Sequence, residues 1–244
     1  MIASASGVGR NMNVEIWSDV VCPWCYIGKR RFEAALAAFE HRDEVEVRWR
    51  SFELDPSAPR HREGDYATRL SGKYGVTVDQ AEQIIQRMEQ TGAGEGLELR
   101  FDRAQPGNTF DAHRLLHLAA DRGVQAQLKE RLLAATFTEG QPIGEPDVLV
   151  ALAAEAGLDA GEAGNVLDGD AYASDVRADE YRATRLGITA VPFFVVDGRY
   201  GVSGAQAPEV ILSALEQGWR DGHEAALVTT KGQGPGCDAD ACEL

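Results

Sequence analysis

Cys22-Pro23-Trp24-Cys25 separates two segments of different hydrophobic period. Before it, Val14-Glu15-Ile16-Trp17 alternates as a half-buried strand does. After it, Phe32, Leu36 and Phe39 recur every three or four residues with alanines between, as on one face of a helix. The segment predicts strand, loop, helix, with Cys22 at the end of the loop and Cys25 inside the first helical turn. A thiol so placed feels the positive end of the helix dipole and the free amides of the first turn, and both favour its thiolate. The rest of the chain has to supply a sheet and a cover for a reactive pair.

Alternation returns at Val45-Glu46-Val47-Arg48-Trp49-Arg50-Ser51-Phe52. A helix joining two such strands makes them a parallel βαβ unit. Asp55 to Asp65, with Pro56, Pro59 and Gly64, predicts a loop and a boundary. From Tyr66 to Leu186 the period is helical. Ala81, Ile84, Ile85 and Met88 mark a helix stopping before Gly92; Phe110, Leu115, Leu116 and Leu118 mark one ending near Gly123; Val124, Leu128, Leu132 and Ala135 mark a third. Pro146 suits the first position of a fourth, which buries Val148, Leu149, Leu152, Ala153 and Ala156. A last long helix is expected from about Ala171 to Leu186, capped by Gly187. Leu97 to Phe101 alternates and reads as a short extended piece. The helices read together as one all-helical subdomain.

Strand character resumes in Phe193-Phe194-Val195-Val196, and Asp197-Gly198 is a favoured two-residue turn into Tyr200-Gly201-Val202. A final helix carries Val210, Ile211, Ala214, Leu215, Gly218 and Trp219. Residues 223–244 are small, polar and acidic and are expected to form a flexible tail.

Lys and Arg number 24 against 39 Asp and Glu, a formal charge of −15. That charge repels nucleic acid and anionic membrane surfaces. No apolar run reaches the ~18 residues that span a bilayer. Met1 to Asn13 has no apolar stretch of the secretory type, and Met12 stands directly before the first strand, so a cytoplasmic protein is expected. The 4 cysteines form two close pairs, Cys22 with Cys25 and Cys237 with Cys242. In a reducing compartment such pairs point to redox or metal chemistry rather than a structural framework. His113 and His117 share a helix face at a spacing that can ligate metal, yet no third ligand accompanies them. They read as core or surface residues, and neither a metal site nor a cofactor is assigned.

A βαβ unit with Cys-x-x-Cys at the head of its first helix, then a helical insertion, then ββα, resembles the thioredoxin fold as elaborated in the DsbA family. Ser18-Asp19-Val20-Val21-Cys22-Pro23-Trp24-Cys25-Tyr26-Ile27-Gly28 resembles the active-site segment of its cytoplasmic FrnE-like branch. Asn108-Thr109 with Ala112-His113-Arg114-Leu115 resembles that branch's insertion. Gly187-Ile188-Thr189-Ala190-Val191-Pro192-Phe193-Phe194, followed by Gly201-Val202-Ser203-Gly204-Ala205-Gln206, resembles its cis-proline loop and hairpin.

The resemblance implies an α/β protein, with residues 13–60 and 187–222 as a thioredoxin-like domain and 61–186 as a helical insertion. It implies a thiol-disulfide oxidoreductase or isomerase, with Cys22 as the exposed nucleophile and Cys25 as the resolving thiol. Pro23, Trp24, Val191 and Pro192 would contact substrate, Val191 through its backbone, a form of strand addition. Expected partners are protein thiols and disulfides, with glutathione beside them. Related strong oxidants often carry histidine where Trp24 stands, so this chain is expected to oxidise less strongly. Lys29, Arg30 and Arg31 would partly compensate, and Asp19 would oppose.

Two other readings of the first pair stand beside this one. Cys-x-x-Cys is also half of a structural zinc site in a metal-binding or thiol-storage module. A kappa-type glutathione transferase or isomerase shares the insertion but characteristically has serine at the position of Cys22. Cys237 and Cys242 are read as an auxiliary redox pair; an inert pair, a regulatory disulfide and half of a four-thiolate metal site are the alternatives. Asp238 and Asp240 would raise the pKa values of those thiols.

Overall fold

Four strands line up in the order β2-β1-β3-β4 in a computed structural model that describes residues 11–224. β1 (Met12–Ser18) runs parallel to β2 (Val45–Ser51), with Val14 opposite Val47 and Ile16 opposite Trp49. β3 (Phe193–Val196) is antiparallel to β1 on its other side and forms a hairpin with β4 (Tyr200–Ser203). Asp197 and Gly198 turn that hairpin with φ of 49° and 70°, both positive, as the tight turn matched to strand twist requires.

Alternation along the central strands sorts their side chains onto two faces. Val14 and Ile16 of β1, with Phe194 and Val196 of β3, pack against Phe32 and Ala35 of α1 (Pro23–Ala38) and Ile211 and Leu215 of α9 (Pro208–Glu224). Glu15 and Trp17 point the other way, toward α8 (Ala173–Arg185). Trp17 Nε1 donates to the Asp179 carbonyl at 3.0 Å, and Glu15 pairs with Arg50 and Arg182. Both faces of β1 are covered, which explains its nearly unbroken burial.

Between β2 and β3 lie the helices α2 (Tyr66–Tyr74), α3 (Val78–Gly94), α4 (Phe110–Asp121), α5 (Gln125–Ala134), α6 (Pro146–Glu155), α7 (Ala160–Asp168) and α8. They bury two separate cores rather than one. Leu115, Leu128, Leu132, Leu149, Leu152 and Val166 join α4 to α7. Leu70, Ala81 and Met88 of the α2–α3 pair close instead over Tyr26 and Ile27 of α1 and over Phe101, Leu133 and Phe137. The α2–α3 pair thus belongs to the cysteine-bearing helix as much as to the other inserted helices.

Four local readings differ from the structure. α3 runs through Gly92 to Gly94, because Gly92 is there for close approach: a Cβ on it would stand 2.7 Å from Leu99 Cδ1. Leu97 to Phe101 forms no strand; its apolar side chains are buried, and Arg100 N–H donates to the Phe137 carbonyl. α7 has no counterpart in the sequence reading, since Gly161 and Gly164 dilute its apolar stripe to Ala163 and Val166, while Asp159 caps it by accepting from Glu162 N. α9 extends to Glu224, into the stretch read as tail. The rest of the tail, with Cys237 and Cys242, lies outside the described residues.

Candidate active site

β1 delivers the chain at Ser18 to a short loop, and Cys22 then serves as the N-cap of α1 in extended conformation, with φ −102° and ψ 112°. Pro23 occupies the first helical position, where a missing N–H costs nothing. Cys25 N–H donates to the Cys22 carbonyl at 3.0 Å, so the first turn brings both side chains to one end of the helix. Both cysteines are free thiols.

Val191 faces them from the segment before β3. Cys22 Sγ donates to the Val191 carbonyl at 3.6 Å across the site. The Val191–Pro192 peptide is cis, and Gly204 N–H donates to the Pro192 carbonyl at 2.8 Å, tying this segment to the end of β4. Trp24 stands out from the surface at 41% exposure, while Pro23 is buried.

Cys22 is only 5% exposed and Cys25 fully buried. The expected exposed nucleophile is instead recessed. Its sulfur reaches solvent through a cavity of about 870 Å³ between Cys22, Trp24 and Val191 on one side and Tyr66, Leu70 and Met88 on the other. Trp17, Ala183, Ile188, Val191 and Val195 pack around the thiols, and α2 and α3 supply the facing wall of the cavity.

The two thiols interact closely enough to titrate as a pair. Interaction with Cys25, then burial, pushes Cys22 well up. Cys25 is held down although burial opposes its charge, because Cys22 and the Lys129 ammonium are near. The resting pair therefore keeps one readily lost proton and one tightly held.

Lys129 of α5 is fully buried, donates to the Ser18 carbonyl at 3.4 Å and lies 5.5 Å over the Trp49 ring. Burial brings its own pKa down to about 8. Asp19, also fully buried, faces His113 Nε2 at 3.3 Å and accepts from Leu54 N–H at 2.8 Å. Burial opposes its charge, but these partners keep its carboxyl below the usual range. His113 has Nδ1 without a hydrogen-bond partner among the described residues. His117 turns to Ser51 Oγ at 3.1 Å and Asp179 at 3.3 Å, so the two histidines serve different partners.

The cation acting on the thiols is thus not the one the sequence suggested. Lys29 and Arg30 are engaged by Glu33 and Glu130, and Arg31 by Glu95 and the Ala205 carbonyl. Lys129 takes that place. Its signal lay in a second buried stripe of α5, Gln125, Lys129 and Leu133, four residues apart, beside the stripe of Leu128 and Leu132.

Residues 13–216 match the family of DSBA-like thioredoxin domains. The Bacillus subtilis protein YwbO, itself uncharacterised, is 30% identical over 208 residues, spanning 84% of this chain and 96% of that protein. A probable DsbA oxidoreductase from Streptomyces coelicolor is 46% identical, superposes with a TM-score of 0.82 and shares 96% of this chain and 99% of its own. The cytosolic disulfide reductase DsbM from Pseudomonas aeruginosa, solved with glutathione, has a TM-score of 0.57 at 20% identity over 88% of this chain and 98% of its own, a likeness of fold.

Proposed function

The chain belongs to the family of DSBA-like thioredoxin domains, and on that premise we propose that it exchanges disulfides with protein substrates through Cys22 and Cys25. The observation that carries this reading is the Cys22 sulfur, set at a helix N-cap, facing the Val191 carbonyl, with the buried free thiol of Cys25 in the first turn of the same helix. Docking of a substrate disulfide against Trp24 and Val191 replaces the Val191 carbonyl as the neighbour of Cys22. The proton of Cys22 then passes to Cys25, which leaves the thiolate on the sulfur that can be reached.

Cys22 attacks one substrate sulfur, forming a mixed disulfide and releasing the other sulfur as a thiolate. Cys25 then loses its proton and attacks Cys22 Sγ, which frees the second substrate thiol and leaves the Cys22–Cys25 disulfide. Two electrons and two protons leave the dithiol, and the substrate disulfide becomes two thiols. The reverse sequence oxidises a substrate dithiol. Val191 would hold an extended substrate by its backbone, with Pro23, Trp24 and Pro192 as side-chain contacts. Such contacts read no particular sequence, which suits a general exchanger.

Glutathione is included as a small partner because a protein of the same fold was solved with it. Within the family the FrnE-like branch fits the motifs best. A cytoplasmic site of action is part of the proposal, a cytosolic disulfide reductase being among the proteins of the same fold, and no helix among the described residues is long and apolar enough to cross a membrane. Cys237 and Cys242 would serve as an auxiliary pair relaying electrons to the first. Replacing both with serine should then lower turnover while sparing the single-turnover reaction at Cys22; equal turnover removes the relay.

Equilibration in glutathione redox buffers tests the main reading. Wild type should show one two-electron transition that Cys22→Ser abolishes. A wild type without that transition overturns it.

A further inference from the structure

We propose that the cavity beside Cys22 selects disulfides bearing carboxylates close to the reacting sulfur, read by Arg69 and Lys73 of α2. The inference rests on the exchange reaction proposed above and names its substrate class.

Access comes first. Cys22 is 5% exposed and lines a cavity of about 870 Å³ whose facing wall includes Tyr66, Leu70 and Lys73 of α2, so a disulfide attacked from that cavity lies against α2. That volume is typical of sites that enclose small molecules or single side chains. Whatever is bonded next to the attacked sulfur therefore meets the α2 wall. Tyr66, on that wall, lines the same cavity as Cys22.

The cations on that wall are not neutralised by carboxylates of the chain, as many of its other cations are. In a chain of net charge −15, Arg30, Arg31, Arg50 and Arg131 each meet a carboxylate. Arg69 and Lys73 line the cavity and have no carboxylate within ion-pair distance among the described residues. Arg69 donates to the carbonyls of Glu63, Gly64 and Ala104 and lies 5.6 Å over the Tyr66 ring. Lys73 is exposed, 5.8 Å over the Tyr74 ring. Carbonyls and rings orient a cation without cancelling its charge.

The carboxylates on the cavity wall are already engaged. Asp19 faces His113 and accepts from Leu54 N–H; Asp55 accepts from Ser57 and pairs with Arg62. What remains is an apolar cleft walled by Trp24, Tyr66, Leu70 and Met88, with a thiol at its floor and two uncompensated cations on one side. A short sulfur-bearing chain ending in carboxylate complements it. The long-range field of the acidic molecule predicts the opposite preference, so an anion preference can only be local.

The step balances without any further reagent. Reduced enzyme supplies two electrons and two protons, the anionic disulfide R–S–S–R becomes two R–SH, and Cys22–Cys25 becomes the disulfide.

Three disulfides of similar size separate the charge term from intrinsic reactivity: dianionic dithiodiglycolate, neutral bis(hydroxyethyl) disulfide and dicationic cystamine. Single-turnover oxidation of the reduced full chain is followed by loss of titratable thiol, each rate divided by that of a free monothiol with the same probe. The dianion should react about tenfold faster than the dication on that scale, and salt should narrow the gap. Arg69→Gln with Lys73→Gln should bring the ratio of dianion to neutral probe close to unity. Lys73→Gln alone, an exposed site, should lower the ratio part of the way even if the double variant folds poorly. Equal or cation-favouring rates in wild type, or an unaltered ratio in both variants, overturn the proposal. A wild type whose thiols resist all three probes overturns the exchange reaction itself, and this inference with it.

Discussion

Gly28 lies directly beneath Pro192: a Cβ on Gly28 would stand 2.7 Å from Pro192 Cγ and 3.5 Å from Ala205 Cβ. This is the contact that lets α1 carry its cysteines up to the Val191 segment. Gly28→Ala gains helix propensity of about 1 kcal/mol and loses about 1–3 kcal/mol to overpacking. The net is a loss of about 0–2 kcal/mol, so the melting temperature should fall by at most about 8 °C. The Val191–Pro192 segment must shift away from Cys22, however, and single-turnover exchange should slow by about tenfold, since small misplacements at a reacting centre cost rate steeply. A stopped-flow rate equal to wild type would show that Gly28 does not set the spacing of the site.

The buried ammonium of Lys129 donates to the Ser18 carbonyl and lies over the Trp49 ring, with Cys25 and Asp19 near enough for their charges to act on it. Lys129→Met removes the cation that favours the Cys25 thiolate. The first ionisation of the pair should move to higher pH, and alkylation by iodoacetamide near neutral pH should slow accordingly. Stability should not suffer, because replacing a buried charge by an apolar group of similar volume is often neutral or favourable. The sign with pH is defined. The folded pKa of Lys129 is about 8 against 10.5 when free, so the unfolded chain binds more protons between those values and wild type gains stability as pH rises through them. Urea unfolding of the variant should lack that gain; identical pH slopes would refute the assignment.

Legibility in the sequence followed the range of the interaction. Signals confined to neighbours in the chain were readable: Cys22 and Cys25 at a strand-to-helix junction, Pro146 opening α6, and Asp197-Gly198 turning the hairpin. The parallel β1–β2 pairing followed from the helix between the strands. Distant partners were not readable. Lys129 sits among charged residues of α5 and looks like a surface lysine until α5 is laid against β1 and β2. Gly28 looks like an ordinary helix glycine until Pro192 is above it. The burial of Cys22 depends on Ala183, Ile188, Val191 and Val195 packing around it from the far end of the chain, and the apolar stripes of α2 and α3 fit any apolar face.

Glu130, next to Lys129 in sequence, clamps α5 to α1. It accepts from Tyr26 Oη at 2.8 Å and Lys29 Nζ at 2.5 Å, and pairs with Arg30. Burial opposes its charge, yet the bonds from Arg30 and Lys29 prevail and hold the carboxyl down to about 2 from 4.5. The stabilisation it provides is complete above pH 4.5 and is lost as pH falls toward 2. Glu130→Gln should cost about 1–2 kcal/mol at neutral pH, discounted because the group is partly exposed. That corresponds to a melting temperature lower by about 2–8 °C for a chain of this size. The difference from wild type should shrink through the acid range, and a pH-independent difference would mean that packing rather than charge is lost.

Trp24 sits between the two cysteines and on the cavity wall, 41% exposed, so its replacement changes the charge near Cys22 with little loss of core. Trp24→His puts an imidazole where the tryptophan offers bulk alone. An imidazolium there favours a thiolate on the pair and has no equivalent attraction for the disulfide, so the reduced form gains and the protein becomes a stronger oxidant. Each tenfold change in the equilibrium constant is about 30 mV, and a rise of that order is expected in glutathione buffer. The effect requires the protonated ring, whose ordinary pKa is about 6.5. The gap between variant and wild type should therefore be wide near pH 6 and close by about pH 8–9. A gap of constant size across that range would assign the poise to the shape of the tryptophan and not to the missing charge.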